Sequence, residues 1–93
     1  MSTSAPRLLV LGAGRESLPV LQALRALGCH LVVLDGVPSA PGFRSADAGL
    51  LASTFDEEAT VEAARAYAER VPLDGVLGTT RRVATAEIGR AHV

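Results

Sequence analysis

A three-layer α/β domain, with a mainly parallel sheet of about four strands and two to three helices, is what this sequence predicts. Three observations carry that expectation. The apolar runs within Arg7–Gly12 and His30–Asp35 show no polar alternation, so they read as strands covered on both faces, as in a parallel sheet. The segments between strands switch to helical spacing. The resulting order, β-α-β-β-α-β with a further helix starting near Val83, places helical crossovers where parallel neighbours need them and predicts a right-handed opening βαβ unit.

Each element has its own local signals. "RLLVLG" (Arg7–Gly12) is the first strand, ending in glycine. From Ser17 the period changes: Leu18, Leu21, Leu24 and Leu27 recur on one helical face with Val20 beside them, while Gln22 and Arg25 fall outside that stripe. Ser17 is the expected N-cap, Pro19 sits in the first turn where amides lack partners anyway, and Gly28 is the expected C′ residue. "HLVVLD" (His30–Asp35) is the second buried strand. Gly36–Gly49, rich in Pro, Gly, Ser and Ala, reads as a long connection anchored by Phe43. "LLAST" (Leu50–Thr54) is the expected third strand. Thr54 and Glu57 have capping-box spacing, with Asp56 a rival cap. An Ala-rich helix from about Glu57 to Val71 follows, with Val61, Ala64, Ala68 and Val71 on one face, and Pro72 stops it. "DGVLGTT" (Asp74–Thr80) is the fourth strand and its polar turn.

Composition narrows the function classes. Of 93 residues, 48% are hydrophobic and only 3% aromatic, so the core is built from Leu, Val and Ala and disorder is not expected. Nine cations against ten anions give a net charge of −1 with no basic footprint, so no nucleic-acid partner is expected. The polar "MSTSAPR" start and the short apolar run after it fit neither a signal peptide nor a membrane span, and point to the cytoplasm. The single cysteine, Cys29, reads as a small half-buried residue. His30 beside it points to the opposite face of the strand and cannot activate its thiol. One Cys and two His without ligand spacing make no metal site.

The stretch "LVLGAGRES" carries the chemistry. Gly12 and Gly14 follow a strand and precede a helix, so the backbone can approach a ligand and the helix start supplies free amides. Asp35 ends the next strand, where a dinucleotide fold keeps the acid that binds ribose hydroxyls. The third glycine of G-x-G-x-x-G is replaced by Ser17, which weakens that fingerprint. The plainer reading is a tight βα turn with Asp35 capping a loop. In an open α/β sheet of Rossmann-like type, ligands bind beyond the carboxyl ends of the strands. Gly12–Glu16, Asp35–Gly36 and Gly78–Arg81 are therefore expected to line one rim.

Four segments in order, "VLGAGRES", "VVLDGVPSAPG", "ADAG" and "DGVLGTT", resemble the N-terminal (pre-ATP-grasp) domain of the ATP-grasp ligase superfamily. This superfamily includes biotin carboxylase, carbamoyl phosphate synthetase and the purine-pathway carboxylate–amine ligases. The resemblance covers about residues 7–87. It implies a parent enzyme that activates a carboxylate with ATP and Mg²⁺ as an acyl phosphate for attack by an amine. The clamp for ATP and the metal carboxylates would lie in an ATP-grasp domain absent from this sequence, leaving the fragment non-catalytic. The substrate-side rim would comprise Gly12, Gly14, Arg15, Glu16, Asp35, Thr79 and Thr80, meeting a small-molecule carboxylate or amine. Arg15 would pair with a substrate carboxylate or phosphate, the alternative being a solvated loop arginine. Arg81-Arg82 departs from the family, whose turn here is neutral or acidic.

The expected organisation is a pre-ATP-grasp domain over residues 1–87 and a non-native tail over 88–93. "IGRAHV" (Ile88–Val93) looks like one reading frame of a common sequencing-adapter oligonucleotide. A sheet cut short predicts self-association through exposed edges. Two other readings remain at this stage, the N-terminal part of an NAD(P)-dependent Rossmann oxidoreductase and a freestanding α/β interaction module.

Overall fold

The computed structural model describes residues 5–78 of the chain. Four strands form one all-parallel sheet in the order β3-β2-β1-β4. They are β1 (Arg7–Leu11), β2 (His30–Asp35), β3 (Ala48–Leu51) and β4 (Gly75–Gly78). Helix α1 (Leu18–Ala26) joins β1 to β2, and α2 (Glu57–Arg70) joins β3 to β4. The α/β, Rossmann-like expectation therefore holds.

The two inner strands are buried on both faces, and each face has its own core. Leu9, Leu11, Val32 and Leu34 point to α2, meeting Ala64 with Val61, Ala63 and Tyr67 around it. Val10, Leu31 and Val33 point to the other face, meeting Leu21 and Leu24 of α1 together with Ala13, Ala40 and Phe43. This is why β1 and β2 read as continuous apolar runs: every second residue serves a different layer. Register follows, with Leu9 beside Val32 and Val10 beside Val33.

Each edge strand enters the sheet through an aspartate. Asp47, just before β3, donates its N–H to the Leu31 carbonyl and accepts the Leu31 N–H on Oδ2, both at 2.8 Å. Asp74, just before β4, does the same with Arg7, both at 2.7 Å. In a parallel ladder the first residue of a strand would otherwise leave a neighbouring N–H without a partner, and the carboxylate supplies one.

Several expectations need correction. Ser17 is the N-cap of α1 as expected, but it is buried and makes no side-chain cap bond to the helix, and a 3-10 turn over Arg15–Ser17 precedes that helix. Leu27 is 77% exposed rather than on the core stripe, because the helix ends at Ala26 and turns away. Its end is a Schellman motif: Gly28, at φ 88°, donates to the Arg25 carbonyl, and Cys29 donates to the Leu24 carbonyl. Strand β3 covers Ala48–Leu51 rather than Leu50–Thr54. The long Gly36–Gly49 connection contains a 3-10 turn over Pro41–Ser45 that seats Phe43 in the core. Asp56, not Thr54, caps α2, its Oδ1 accepting the Ala59 N–H at 3.0 Å. Val71 lies just past the end of α2 as its C-cap. Thr79, Thr80, Arg81, Arg82, the helix expected from Val83 and the 87/88 boundary lie outside the described residues.

Candidate functional site: the glycine turn beyond the first strand

The order β3-β2-β1-β4 places the topological switch between β1 and β4, and the crevice of such a sheet lies beyond their carboxyl ends. Gly12–Glu16 leaves β1 at that rim, Asp35–Gly36 leaves β2 beside it, and Gly78 ends β4 on its other side. Thr79 and Thr80, which follow Gly78, are outside the described residues.

The turn is built from the inside out. Gly12 adopts φ 110°, a conformation that L side chains avoid, and donates its N–H to the Leu34 carbonyl at 2.8 Å. Ala13 is fully buried. Its N–H goes to Asp35 Oδ2 at 2.7 Å, and its carbonyl accepts the Gly42 N–H at 2.7 Å. Asp35 Oδ1 accepts the Val37 N–H at 2.9 Å, closing its own loop. A β-carbon on Gly42 would stand 2.8 Å from the Ala13 Cα, so only glycine lets the 41–45 turn lie this close. Gly14 is extended, and the nearest Glu16 carboxylate oxygen lies 2.8 Å from where a β-carbon on Gly14 would stand. Arg15 and Glu16 are exposed on the rim.

Of the residues singled out in the sequence, the structure therefore gathers Gly12, Gly14, Arg15, Glu16 and Asp35 at one end of the sheet. Asp35 stands behind the turn, with both carboxylate oxygens on backbone N–H groups. The exposed face of the turn offers one cationic and one anionic side chain, which suits a ligand bearing both an anionic group and an amine. Among the described residues no group of three His, Cys, Asp or Glu side chains converges on a common point. No helix there is long and apolar enough to cross a membrane.

Two groups with clear structural roles escaped sequence reasoning. Gly42 was one more glycine in a turn-rich loop, and its need for close approach depends on Ala13, distant in sequence. Asp47 stands in the sequence only as part of "ADAG". It lies at the opposite end of the sheet from the rim, where Arg25 Nη1 approaches it at 3.5 Å and His30 Nε2 at 3.9 Å. The Leu31 N–H, and secondarily the positive charges of His30 and Arg25, hold its carboxyl below the ordinary value against the opposing effect of burial. An aspartate immediately before each edge strand was the signal available.

No protein-family model matches the chain. It is 33% identical over 67 residues to the formate-dependent phosphoribosylglycinamide formyltransferase of Synechococcus sp. (strain WH7803). That match takes in 72% of this chain and 17% of the relative, so the chain spans under a fifth of the relative's length. In structure it is similar to glycinamide-RNase-transformylase T from Mycobacterium tuberculosis, with a TM-score of 0.72 at 26% identity. It is equally similar to the phosphoribosylglycinamide synthetase of Anaerococcus prevotii, at 0.72 and 25% identity. Both alignments cover 92% of this chain, and 24% and 22% of those chains. In sequence and in fold together, the chain matches the N-terminal domain of the ATP-grasp superfamily ligases.

Proposed function

We propose that this chain supplies the substrate-side wall of an ATP-dependent carboxylate–amine ligase and is non-catalytic by itself. The observation that supports the reading best is the coincidence of 33% sequence identity with a TM-score of 0.72, both to proteins named for glycinamide substrates. The substrate is a small carboxylate or amine, and a phosphoribosyl amine fits the names of those relatives. Gly12 and Gly14 bring the backbone close to it. Arg15 pairs with its phosphate or carboxylate, Glu16 faces its amine, and Thr79 and Thr80 complete the rim from β4. ATP with Mg²⁺ supplies carboxylate activation in the whole protein. The ATP and Mg²⁺ sites belong to other domains of the parent, as the likeness to ATP-grasp ligases implies. The setting is cytoplasmic, with no nucleic-acid or membrane partner.

A chimera tests this. Residues 7–78 replace the equivalent segment of the Synechococcus enzyme. ADP release should require both formate and phosphoribosylglycinamide, and Arg15→Ala should raise KM for the phosphoribosyl substrate about tenfold, the scale of one charge-assisted contact. KM for formate should not move. A folded chimera without turnover would overturn the reading. So would saturable NADH fluorescence enhancement by the isolated chain, since that is the signature of a nicotinamide site.

A further inference from the structure

We infer that Asp35 is a positioning residue: it fixes the Ala13 peptide, and through it the backbone of Gly14–Glu16, for an incoming anionic group. The inference rests on the reading that this turn meets substrate. In a dinucleotide fold the acid at the end of the second strand turns outward to ribose hydroxyls. Here it turns inward, with Oδ2 on the Ala13 N–H at 2.7 Å and Oδ1 on the Val37 N–H at 2.9 Å. The Ala13 carbonyl is held independently by the Gly42 N–H at 2.7 Å. Both polar groups of one buried residue are therefore anchored, one by β2 and one by the 41–45 turn. Gly12 upstream is anchored to Leu34. The chain reaches Gly14 with its direction already set, and the 3-10 turn at Arg15–Ser17 starts from that fixed point.

The same clamp shapes what the site takes. Gly42 lies against the Ala13 backbone, and Asp35 offers its oxygens to the protein rather than to a ligand. Neither Asp35 oxygen is therefore turned toward ribose hydroxyls, the contact by which the equivalent acid serves a dinucleotide fold.

The test uses the 93-residue chain as wild type, Asp35→Asn and Asp47→Asn, with ribose 5-phosphate as the probe and backbone amide resonances as the readout. An asparagine can accept only one of the two N–H groups and turns an NH₂ toward the other, while its size is unchanged. Asp47→Asn breaks the comparable clamp at the far end of the sheet and controls for general loss of stability. Wild type should shift at Gly14–Glu16. Asp35→Asn should bind about tenfold more weakly, as expected for loss of a charge-assisted hydrogen bond, and Asp47→Asn should bind as wild type does. Equal binding by Asp35→Asn and wild type overturns the inference and leaves the substrate-wall reading intact. If wild type itself does not respond, that reading fails, and hydrogen exchange of the unliganded proteins decides the clamp. Exchange at Gly14–Ser17 that is about tenfold faster in Asp35→Asn but unchanged in Asp47→Asn supports it. Unchanged exchange in Asp35→Asn overturns it.

Discussion

Aspartate side chains do at single residues what regular structure cannot. Asp35, Asp47 and Asp74 each accept a backbone N–H from the adjacent strand or its following turn, at 2.7–2.8 Å. For Asp47 this has a pH signature. Its carboxyl is held below the ordinary value of 3.8 in the folded state, chiefly by the Leu31 N–H. The sign follows from linkage: the stabilisation is fully present above the unfolded value and is lost as pH falls through the depressed folded value. Urea unfolding of wild type and Asp47→Asn should therefore show a gap of about 1 kcal/mol near pH 6 that closes on acidification below pH 4. A gap independent of pH would mean that the carboxylate charge is not what matters. Sequence spacing alone could not rank such groups. Thr54 and Asp56 both stand at plausible cap positions in the sequence; in the fold Thr54 is buried and Asp56 accepts the Ala59 N–H.

At the level of elements, inner strands were the most legible part. A strand segment buried on both faces must be apolar throughout, and Leu8–Leu11 of β1 and Leu31–Leu34 of β2 are, so these interiors follow from composition. Strand β3 was harder. It pairs from Ala48 beside Val32 to Leu51 beside Asp35, starting two residues before the apolar pair that marks it in sequence. Gly49 read as the end of a loop, yet it is a strand residue packed against Phe43, whose ring would lie 3.0 Å from a β-carbon there. That contact joins the 41–45 turn to an edge strand and exists only in the folded chain. Helix α1 shows the same division. Its leucine stripe predicts four equivalent positions, but Leu21 is fully buried while Leu27 follows the last turn into solvent. Leu21→Ala should cost about 3 kcal/mol in unfolding free energy, as a cavity in a core contacted by Val10, Leu31 and Val33. Leu27→Ala should change it by less than about 0.5 kcal/mol. Comparable losses at both positions would show that the Schellman end does not release Leu27 from the packing.

At the scale of the whole molecule, among the described residues the inner strands are covered on both faces and the edge strands are only partly covered. Among the described residues β3 pairs only with β2, and β4 only with β1. Neither edge carries the charged residues or proline that usually blunt one: β3 reads Ala-Gly-Leu-Leu and β4 Gly-Val-Leu-Gly. Near the end of β3, Leu51 and Phe55 are 62% and 80% exposed, with Val37 also on the surface. Charge offers little protection, since the net value is −1. The glycine turn itself was legible because its chemistry is local: a strand, two glycines and a helix start within one short stretch. What closes the β2 side of that turn was not, because Gly42 and Asp35 reach Ala13 only through the fold. The two edges have the same non-local character, and they govern how the isolated chain behaves. Parallel edges present unsatisfied N–H and carbonyl groups that another edge can satisfy, and the apolar side chains beside them add to the gain on pairing. The 93-residue chain should therefore elute in size-exclusion chromatography at an apparent mass that rises with concentration. Leu51→Lys should shift that equilibrium toward monomer without changing the far-ultraviolet circular dichroism. A wild-type chain that elutes as a monodisperse monomer at high concentration would show that its edges are already satisfied within the chain.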